Sequence, residues 1–173
     1  MVLVIEWMSE DLVAEVAAVP LELAVGERLV SADELAGHAA SRAPLAQSVL
    51  DCVTSWSRYD NEWEGVSFKH ILSVVKPLSL AKFVLFKSYD DYTTNLPLET
   101  CDDSDVLLSH KWNGKPLTKE HGGPVRVIVP KRYAWKGAKW VKEITFADKD
   151  EKGFWEVRGY SNTALPWNND RYA

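Results

Sequence analysis

Hydrophobic and polar positions follow distinct periods in the first third of the chain. An amphipathic pattern around residues 12–17 predicts a short helix that stops before Pro20. Apolar residues at every second position of the segment 21–25 predict a strand, which ends at a Gly-Glu turn. Ser31 with Glu34 forms a capping box, which predicts a helix from Ala32 to about Ala40.

The middle of the chain contains one helical stripe between two apolar runs. Residues 48–53 form a short apolar run that predicts a strand ending near Cys52. A helix is predicted after Val66, with Ser67 as its N-cap, an apolar stripe at positions 68, 71, 72 and 75, and Pro77 just beyond its end. The continuous apolar run within 81–87 predicts a buried strand, and the polar segment 88–95 predicts a loop.

The last third alternates short strands with turn signals. Strands are predicted over 106–111, 125–130 and 139–146, with an Asn113-Gly114 turn after the first of them. The His-Gly-Gly-Pro segment 121–124 is irregular, and its glycines allow the backbone to approach a bound group closely. No repeat or interdomain linker interrupts the 173 residues, a length typical of one domain, which we place over 1–173.

Composition indicates a water-soluble globular protein, with 46% hydrophobic and 26% charged residues. No apolar run approaches the length of a membrane span, and the first residues lack the features of a signal peptide, so a cytoplasmic location is expected. Two cysteines, Cys52 and Cys101, argue against a disulfide framework, and without paired Cys spacing a Cys/His zinc cluster is not expected.

Charge is distributed unevenly, although the net charge is only −5. Residues 111–142 hold nine Lys and Arg against Glu120 alone. Such a stretch is either a solvated basic face or an anion site that suits phosphate, because Arg and Lys donate to oxygen anions. Eight tryptophans are many for this length, and five of them lie between positions 56 and 140, where indoles form either a pocket wall or the core.

Cys52 is the first candidate for chemistry because it lies where a predicted strand gives way to a loop. Its thiolate would suit a metal centre, while His121, Arg126 and the Lys-rich loop would suit an oxyanion or phosphate. Two other interpretations remain open. Cys52 is either a small buried hydrophobe or a nucleophile paired with His70 or His121 in a hydrolase.

Five segments together carry a family resemblance. They are Cys52-Val53-Thr54-Ser55-Trp56-Ser57 with Trp63-Glu64-Gly65-Val66, then Asp91 to Leu98, then Asn113 to Leu117 with His121 to Pro130, then Tyr133, Lys136, Lys139-Trp140 and Ile144, and Phe154-Trp155-Glu156 with Gly159-Tyr160. Their order and spacing over roughly 20–172 resemble the molybdopterin-binding domain of the sulfite oxidase family.

The resemblance implies a mixed α+β fold around a molybdenum ion held by a pyranopterin dithiolene and one cysteine. Cys52 would be that metal ligand. The residues that match the family's cofactor pocket are Thr93, His121, Arg126, Lys136, Gly137 and Lys139, with Gly137 offering its backbone N–H. The cofactor, molybdenum-molybdopterin, carries two-electron oxygen-atom chemistry.

The resemblance also implies a substrate and a redox partner. Tyr160 matches the aromatic hydroxyl near the metal, and Arg58 is the available cation where sulfite oxidases carry Gly-Asn-Arg-Arg after their cysteine. We expect a sulfite, S-oxide or N-oxide type of substrate and, without a haem or dimerisation domain, a separate electron-transfer protein; no nucleic acid partner is expected. The alternative is a non-catalytic module that holds or delivers the cofactor.

Overall fold

Two β-sheets form most of the described structure. A computed structural model describes residues 2–6, 22–25, 28–30 and 46–173, with side chains from residue 48 onward. The predicted helices around 12–17 and 32–40 and the turn at 26–27 lie outside the described residues. The strands are β1 (Val2–Glu6), β2 (Glu22–Val25), β3 (Arg28–Val30), β4 (Ala46–Asp51), β5 (Ser57–Ser67), β6 (Phe83–Ser88), β7 (Thr93–Pro97), β8 (Leu107–Trp112), β9 (Lys115–Pro116), β10 (Arg126–Ile128) and β11 (Val141–Ala147).

The described strands pair antiparallel in both sheets. The first sheet has the order β3-β2-β1-β11-β6-β7, and the second has the order β10-β8-β5-β4 with β9 paired to β8. Two α-helices are described, α1 (Phe68–Val75) and α2 (Leu98–Cys101). This arrangement confirms the expected α+β class, and it confirms most of the predicted strands within one or two residues.

Helix α1 forms as its apolar stripe predicts. Phe68, Ile71 and Val75 are buried, and the helix ends at Lys76, which adopts a left-handed conformation one residue before Pro77. Ser67 is the N-cap residue as predicted, but its side chain forms no capping hydrogen bond. Packing of the apolar face therefore stabilises α1 more than its N-terminal residue does.

The hairpin β6–β7 differs from the prediction. The polar loop ends at Tyr92, and Thr93–Pro97 pairs as a strand with Phe83–Lys87. Asp91, with φ of 63°, makes the reversal possible. Burial along β6 alternates, with Val84 and Phe86 inside, so this strand is not buried on both faces as its continuous apolar run predicted. The change places Ser88, at the end of β6, on the inward side.

The main core lies between α1 and the two sheets. It contains Phe68, Phe86, Leu96, Val127 and Ile144, which are all essentially inaccessible to solvent. Phe68 and Phe86 contact each other edge to face at a ring-centroid distance of 5.7 Å, which joins the helix to the first sheet. Among the described helices, none is long and apolar enough to cross a membrane.

Candidate functional site

A cleft of about 380 Å³ opens where the second sheet meets the loop between β10 and β11. Strands β4, β5, β8 and β10 each place side chains on it, as do the β6–β7 hairpin and the segment after β11. Indoles dominate the lining, together with three cations and an imidazole. The lining residues are Leu50, Trp56, Arg58, Asn61, Trp63, Ser88, Tyr92, Trp112, His121, Arg126, Ala134, Trp135, Gly137, Lys139, Trp140 and Trp155.

One wall of the cleft is a pair of stacked indoles. The rings of Trp63 and Trp112 lie 5.8 Å apart, within 19° of parallel. Trp63 Nε1 donates to Ser48 Oγ at 3.0 Å, and Trp112 Nε1 donates to Asn61 Oδ1 at 3.1 Å. Asn61 is itself buried and donates to the carbonyl oxygens of Ser48 and Arg58. Every polar atom of this wall is therefore fixed, which leaves a rigid apolar face toward the cleft.

Arg58 and His121 lie against the same indole. The Arg58 guanidinium carbon is 4.2 Å from the Trp112 ring centroid, and the His121 ring contacts that indole edge-on at 4.8 Å. A guanidinium held over an indole face keeps its N–H groups available for an oxyanion. The structure thus brings two of the residues predicted from sequence to one side of the cleft.

Arg126 is a buried cation without a carboxylate. Its side chain is 5% exposed, and Nη1 donates to the carbonyl oxygen of His121 at 3.0 Å. Nε has no hydrogen-bond partner, and among the described residues no Asp or Glu forms an ion pair with it. Burial lowers the pKa of Arg126 to about 10. A buried, unpaired guanidinium is unfavourable unless an anion accompanies it, so this position favours an anionic ligand.

Lys139 brings a second positive charge to the same place. Its Nζ donates to the carbonyl oxygen of Glu120 at 2.8 Å, and burial followed by the charge of Arg126 lowers the pKa of Lys139. Gly122, at a φ of 99°, makes the approach possible: a Cβ there would lie 2.8 Å from Lys139 Cγ and 3.1 Å from Arg126 Cβ. The glycine therefore lets the two cations pack against the backbone, and the close approach of this backbone to a bound group stays a prediction.

Gly137 also lines the cleft, but its N–H is already used. That N–H donates to the carbonyl oxygen of Ala134 at 3.0 Å, within the short 3-10 turn Ala134–Lys136. A Cβ at this glycine would lie 2.8 Å from the Val127 carbonyl oxygen and 3.8 Å from Arg126 Nη2. The lack of a side chain therefore keeps the space beside Arg126 open, whereas the family resemblance implies a cofactor contact through the backbone N–H.

Cys52 lies in the turn between β4 and β5, at the position that the sequence predicts. Its N–H donates to the Trp56 carbonyl oxygen at 2.9 Å, and its Sγ lies 3.1 Å from Thr54 Oγ1. The residue is half-buried and does not line the cleft, although Leu50 and Trp56 on either side of it do. The thiol is therefore at the margin of the site.

Lys136 lies behind the cleft instead of in it. Its ammonium has no exposed surface and lies 2.7 Å from Glu156 Oε1, with further hydrogen bonds to the carbonyl oxygen and Oδ1 of Asn95. Burial lowers the pKa of Lys136, and the Glu156 carboxylate opposes that shift. All of its hydrogen-bonding capacity is met inside the protein, so it holds the loop and does not face a ligand.

Thr93 and Tyr160 also lie outside the cleft lining. Thr93 is in β7, where its carbonyl oxygen accepts the Phe154 N–H at 2.9 Å. The Tyr160 ring lies behind two lining indoles, 4.8 Å from Trp155 and 5.2 Å from Trp135. Of the residues predicted for the site, the structure places Arg58, His121, Arg126, Gly137 and Lys139 on the cleft.

The structure adds residues that sequence reasoning missed. Ser88 is fully buried with an unpartnered Oγ, and Trp135 has a buried, unpartnered Nε1; both line the cleft. Tyr92 donates its hydroxyl to the Trp135 carbonyl oxygen, and burial, followed by the charge of Glu156, raises the pKa of that phenol. Ser88 follows Val84 and Phe86 at every second position of β6, and this spacing was the signal in the sequence that could have placed it inside.

Comparison with known proteins gives a consistent family. The model of the oxidoreductase molybdopterin binding domain matches residues 28–155. The uncharacterized oxidoreductase YuiH of Bacillus subtilis (strain 168) is 42% identical over 123 residues, which cover 71% of this chain and 62% of that protein. An NADPH nitrate reductase of Fusarium oxysporum is 31% identical over 132 residues, covering 64% of this chain and 14% of the relative.

A more distant structure shares the fold. The sulfane dehydrogenase SoxCD of Paracoccus pantotrophus superimposes with a TM-score of 0.54 at 23% identity, covering 60% of this chain and 31% of that one. The chain thus spans less than two thirds of the length of each of these proteins. The family match extends over well more than half of the chain and confirms the resemblance inferred from sequence, so the protein belongs to the oxidoreductase molybdopterin-binding domain family.

Proposed function

We propose that this protein binds a molybdenum-molybdopterin cofactor and uses it for two-electron oxygen-atom transfer on a sulfur- or nitrogen-centred substrate. The observation that carries the proposal is Arg126, a buried guanidinium on the cleft with no carboxylate among the described residues. Lys139 beside it doubles the positive charge. A phosphorylated pterin would supply the anion that these cations lack.

The polar atoms of the cleft fit that cofactor. Arg126 Nε and Trp135 Nε1 are buried donors without partners, and the buried hydroxyl of Ser88 both donates and accepts. A pterin offers ring nitrogens, a carbonyl and a phosphate, which complement such a set. Buried donors left without partners are costly, so a ligand that satisfies them gains that free energy on binding.

Each residue has a distinct role in this proposal. Arg126 and Lys139 hold the phosphate, His121 contributes its imidazole beside them, and the indole wall excludes water from the cofactor. Cys52 would supply the thiolate that holds the metal, in place of its present contact with Thr54 Oγ1. Arg58 would bind the oxygen atoms of the substrate from its place on Trp112. Lys136 and Tyr160 support this arrangement from behind.

The cofactor, when bound, supplies the oxygen-atom transfer. The reaction also requires a source or acceptor of electrons and protons. Removing an oxygen atom from an S-oxide or N-oxide consumes two electrons and two protons and releases water. The reverse reaction consumes water and releases two electrons and two protons. The electrons enter or leave through a separate carrier, for which we propose an electron-transfer protein. The substrate would reach the cleft past Trp56, an indole that is half-exposed there.

The test is metal and pterin analysis of the protein made in a host that builds the cofactor. We expect about one molybdenum and one pterin per chain, and retention of the pterin but loss of the metal thiolate in Cys52→Ser. Arg126→Met should lose pterin during gel filtration. The matched control is Arg132→Met, which removes a half-buried arginine outside the cleft lining and should retain pterin.

Two results would overturn the assignment. A folded parent protein that contains neither molybdenum nor pterin would refute the proposed cofactor. Equal pterin content in Arg126→Met and the parent would refute the proposed phosphate site. A parent that holds both but does not turn over sulfite, S-oxides or N-oxides with artificial electron carriers would instead be a module that holds or delivers the cofactor.

A further inference from the structure

A continuous series of aromatic rings leads from the cleft to the protein surface. The Tyr160 ring contacts Trp155 at 4.8 Å and Trp135 at 5.2 Å on one side. On its other side the Tyr160 ring contacts Tyr172 at 5.4 Å. All three distances join ring centroids and correspond to direct contact. Each step from the lining indoles to Tyr172 therefore crosses a single ring-to-ring contact.

The two ends of this series lie in different surroundings. Trp135 and Trp155 line the cleft, whereas Tyr172 is 66% exposed. Backbone hydrogen bonds hold the rings in place: Tyr160 donates its N–H to the Trp155 carbonyl oxygen at 3.1 Å, and Tyr160 and Tyr172 form an isolated antiparallel bridge. The aromatic contacts thus connect the lining of the cleft with the exposed Tyr172 ring through fixed elements.

Ring chemistry separates this series from ordinary core packing. Indole and phenol rings can each give up one electron, and an oxidised tyrosine is stabilised when its phenolic proton leaves. A phenylalanine ring is far harder to oxidise, so the contact of Trp155 with Phe154 does not carry an electron onward. The rings of this series are all tryptophan or tyrosine.

We propose that Trp135, Trp155, Tyr160 and Tyr172 form a relay that carries a one-electron oxidising equivalent from the cleft to the surface. A strong oxidant of the oxygen-radical class in the cleft takes one electron from an indole. The half-buried Tyr160 then reduces that indole and releases its phenolic proton to water. Tyr172 reduces the Tyr160 radical, which takes a proton back from water. At the surface Tyr172 gives its phenolic proton to water, and a thiol in solution returns a hydrogen atom to the tyrosyl radical, leaving a thiyl radical.

The relay would protect the site from its own side reactions. Its need for an oxidant in the cleft rests on the proposed redox function, because a redox centre exposed to dioxygen is a source of such species. Electron transfer between the rings depends only on the protein's own side chains and not on the cofactor. It can therefore be tested on the metal-free protein, and a negative result there is independent of whether molybdenum binds.

The experiment runs the relay in reverse from a tethered oxidant. Ala173→Cys is prepared in a Cys52→Ser background and labelled with a thiol-reactive ruthenium polypyridyl complex, while the buried Cys101 stays unlabelled. The Ala173 N–H donates to the Gly159 carbonyl oxygen at 3.0 Å, so the label starts beside Tyr172. Illumination with a sacrificial electron acceptor then generates the ruthenium(III) oxidant. Peptide mass spectrometry measures oxidation products at Trp135 and Trp155.

Two variants of the labelled protein decide the outcome. We expect light-dependent oxidation of the cleft indoles in the labelled parent, and its loss to the level of the dark sample in Tyr160→Phe, which keeps the ring and its packing. Tyr59→Phe is the matched control: Tyr59 is also 66% exposed, and among the described residues no aromatic ring lies against it, so the yield should stay unchanged. Equal oxidation in Tyr160→Phe and the parent, or none in the parent, would overturn the relay.

Discussion

Replacement of Lys136 by methionine should destabilise the protein strongly. The Lys136 and Glu156 side chains have no exposed surface, and their charged atoms are 2.7 Å apart. The methionine would leave the Glu156 carboxylate buried without its cation, a loss that costs roughly 3–5 kcal/mol. That is a large fraction of the roughly 5–15 kcal/mol by which domains are stable. Urea unfolding followed by tryptophan fluorescence measures the change in the free energy of unfolding.

Two further variants isolate the buried charge as the cause. Lys136→Met with Glu156→Leu should recover much of the loss, because it removes both charges. Lys131→Met breaks ion pairs with Asp103 and Asp105 that are partly exposed, and it should cost less than about 1 kcal/mol. A loss below about 1 kcal/mol in Lys136→Met would refute the reasoning, as would a double variant no more stable than the single one.

Three other predictions concern glycine packing, a half-buried imidazole and the two thiols. Gly65→Ala should cost more than about 2 kcal/mol in urea unfolding, because its Cβ would lie 2.2 Å from a carbonyl oxygen of β8, whereas Gly114→Ala, with open space around a φ of 73°, should cost only about 1 kcal/mol. Similar losses in both would contradict this. Burial, followed by the charge of Lys111, lowers the pKa of His110. As pH falls through about 6.5 the unfolded chain therefore binds a proton at this imidazole before the folded protein does, and the free energy of unfolding should decrease. His110→Gln should flatten that part of the curve of urea midpoint against pH, and an unchanged slope would exclude His110 as the cause. Iodoacetamide should label Cys52 in the native protein and Cys101 only after unfolding, since burial raises the pKa of the Cys101 thiol; native labelling of both, located by peptide mapping, would show that Cys101 is accessible.

Local sequence signals predicted most of the elements that carry the site. The strand that delivers Cys52, the helix α1 and the Asn113-Gly114 turn were each visible as a period or a turn pair. The strand β1 was not, because its residues from Val2 to Ile5 are continuously apolar, and such a short run does not distinguish a strand from a helix. Its place beside β11, far along the chain, is a tertiary pairing that no local pattern reveals.

The candidate site shows the same limit at the level of single side chains. Lys136 and Lys139 looked equivalent in the basic loop, yet only Lys139 reaches the cleft. The 3-10 turn ends at Lys136, and Gly137 redirects the chain, so side chains three apart do not share a face there. The partner that draws Lys136 inward, Glu156, is 20 residues later in the sequence. Sequence therefore predicted the charge of the loop but not the direction of each cation.

The position of the last segment in the fold sets an order for the protein's synthesis. Arg171 Nε donates to the Val53 carbonyl oxygen beside Cys52, and its guanidinium lies 5.3 Å from the Tyr133 ring. Trp155, a wall of the cleft, also belongs to this late part of the chain. Chains grow from the N-terminus on the ribosome. The turn that holds Cys52 is therefore made early, but it gains its contact with Arg171 only once that residue has left the exit tunnel, and a group that needs the whole cleft can be enclosed only after that point.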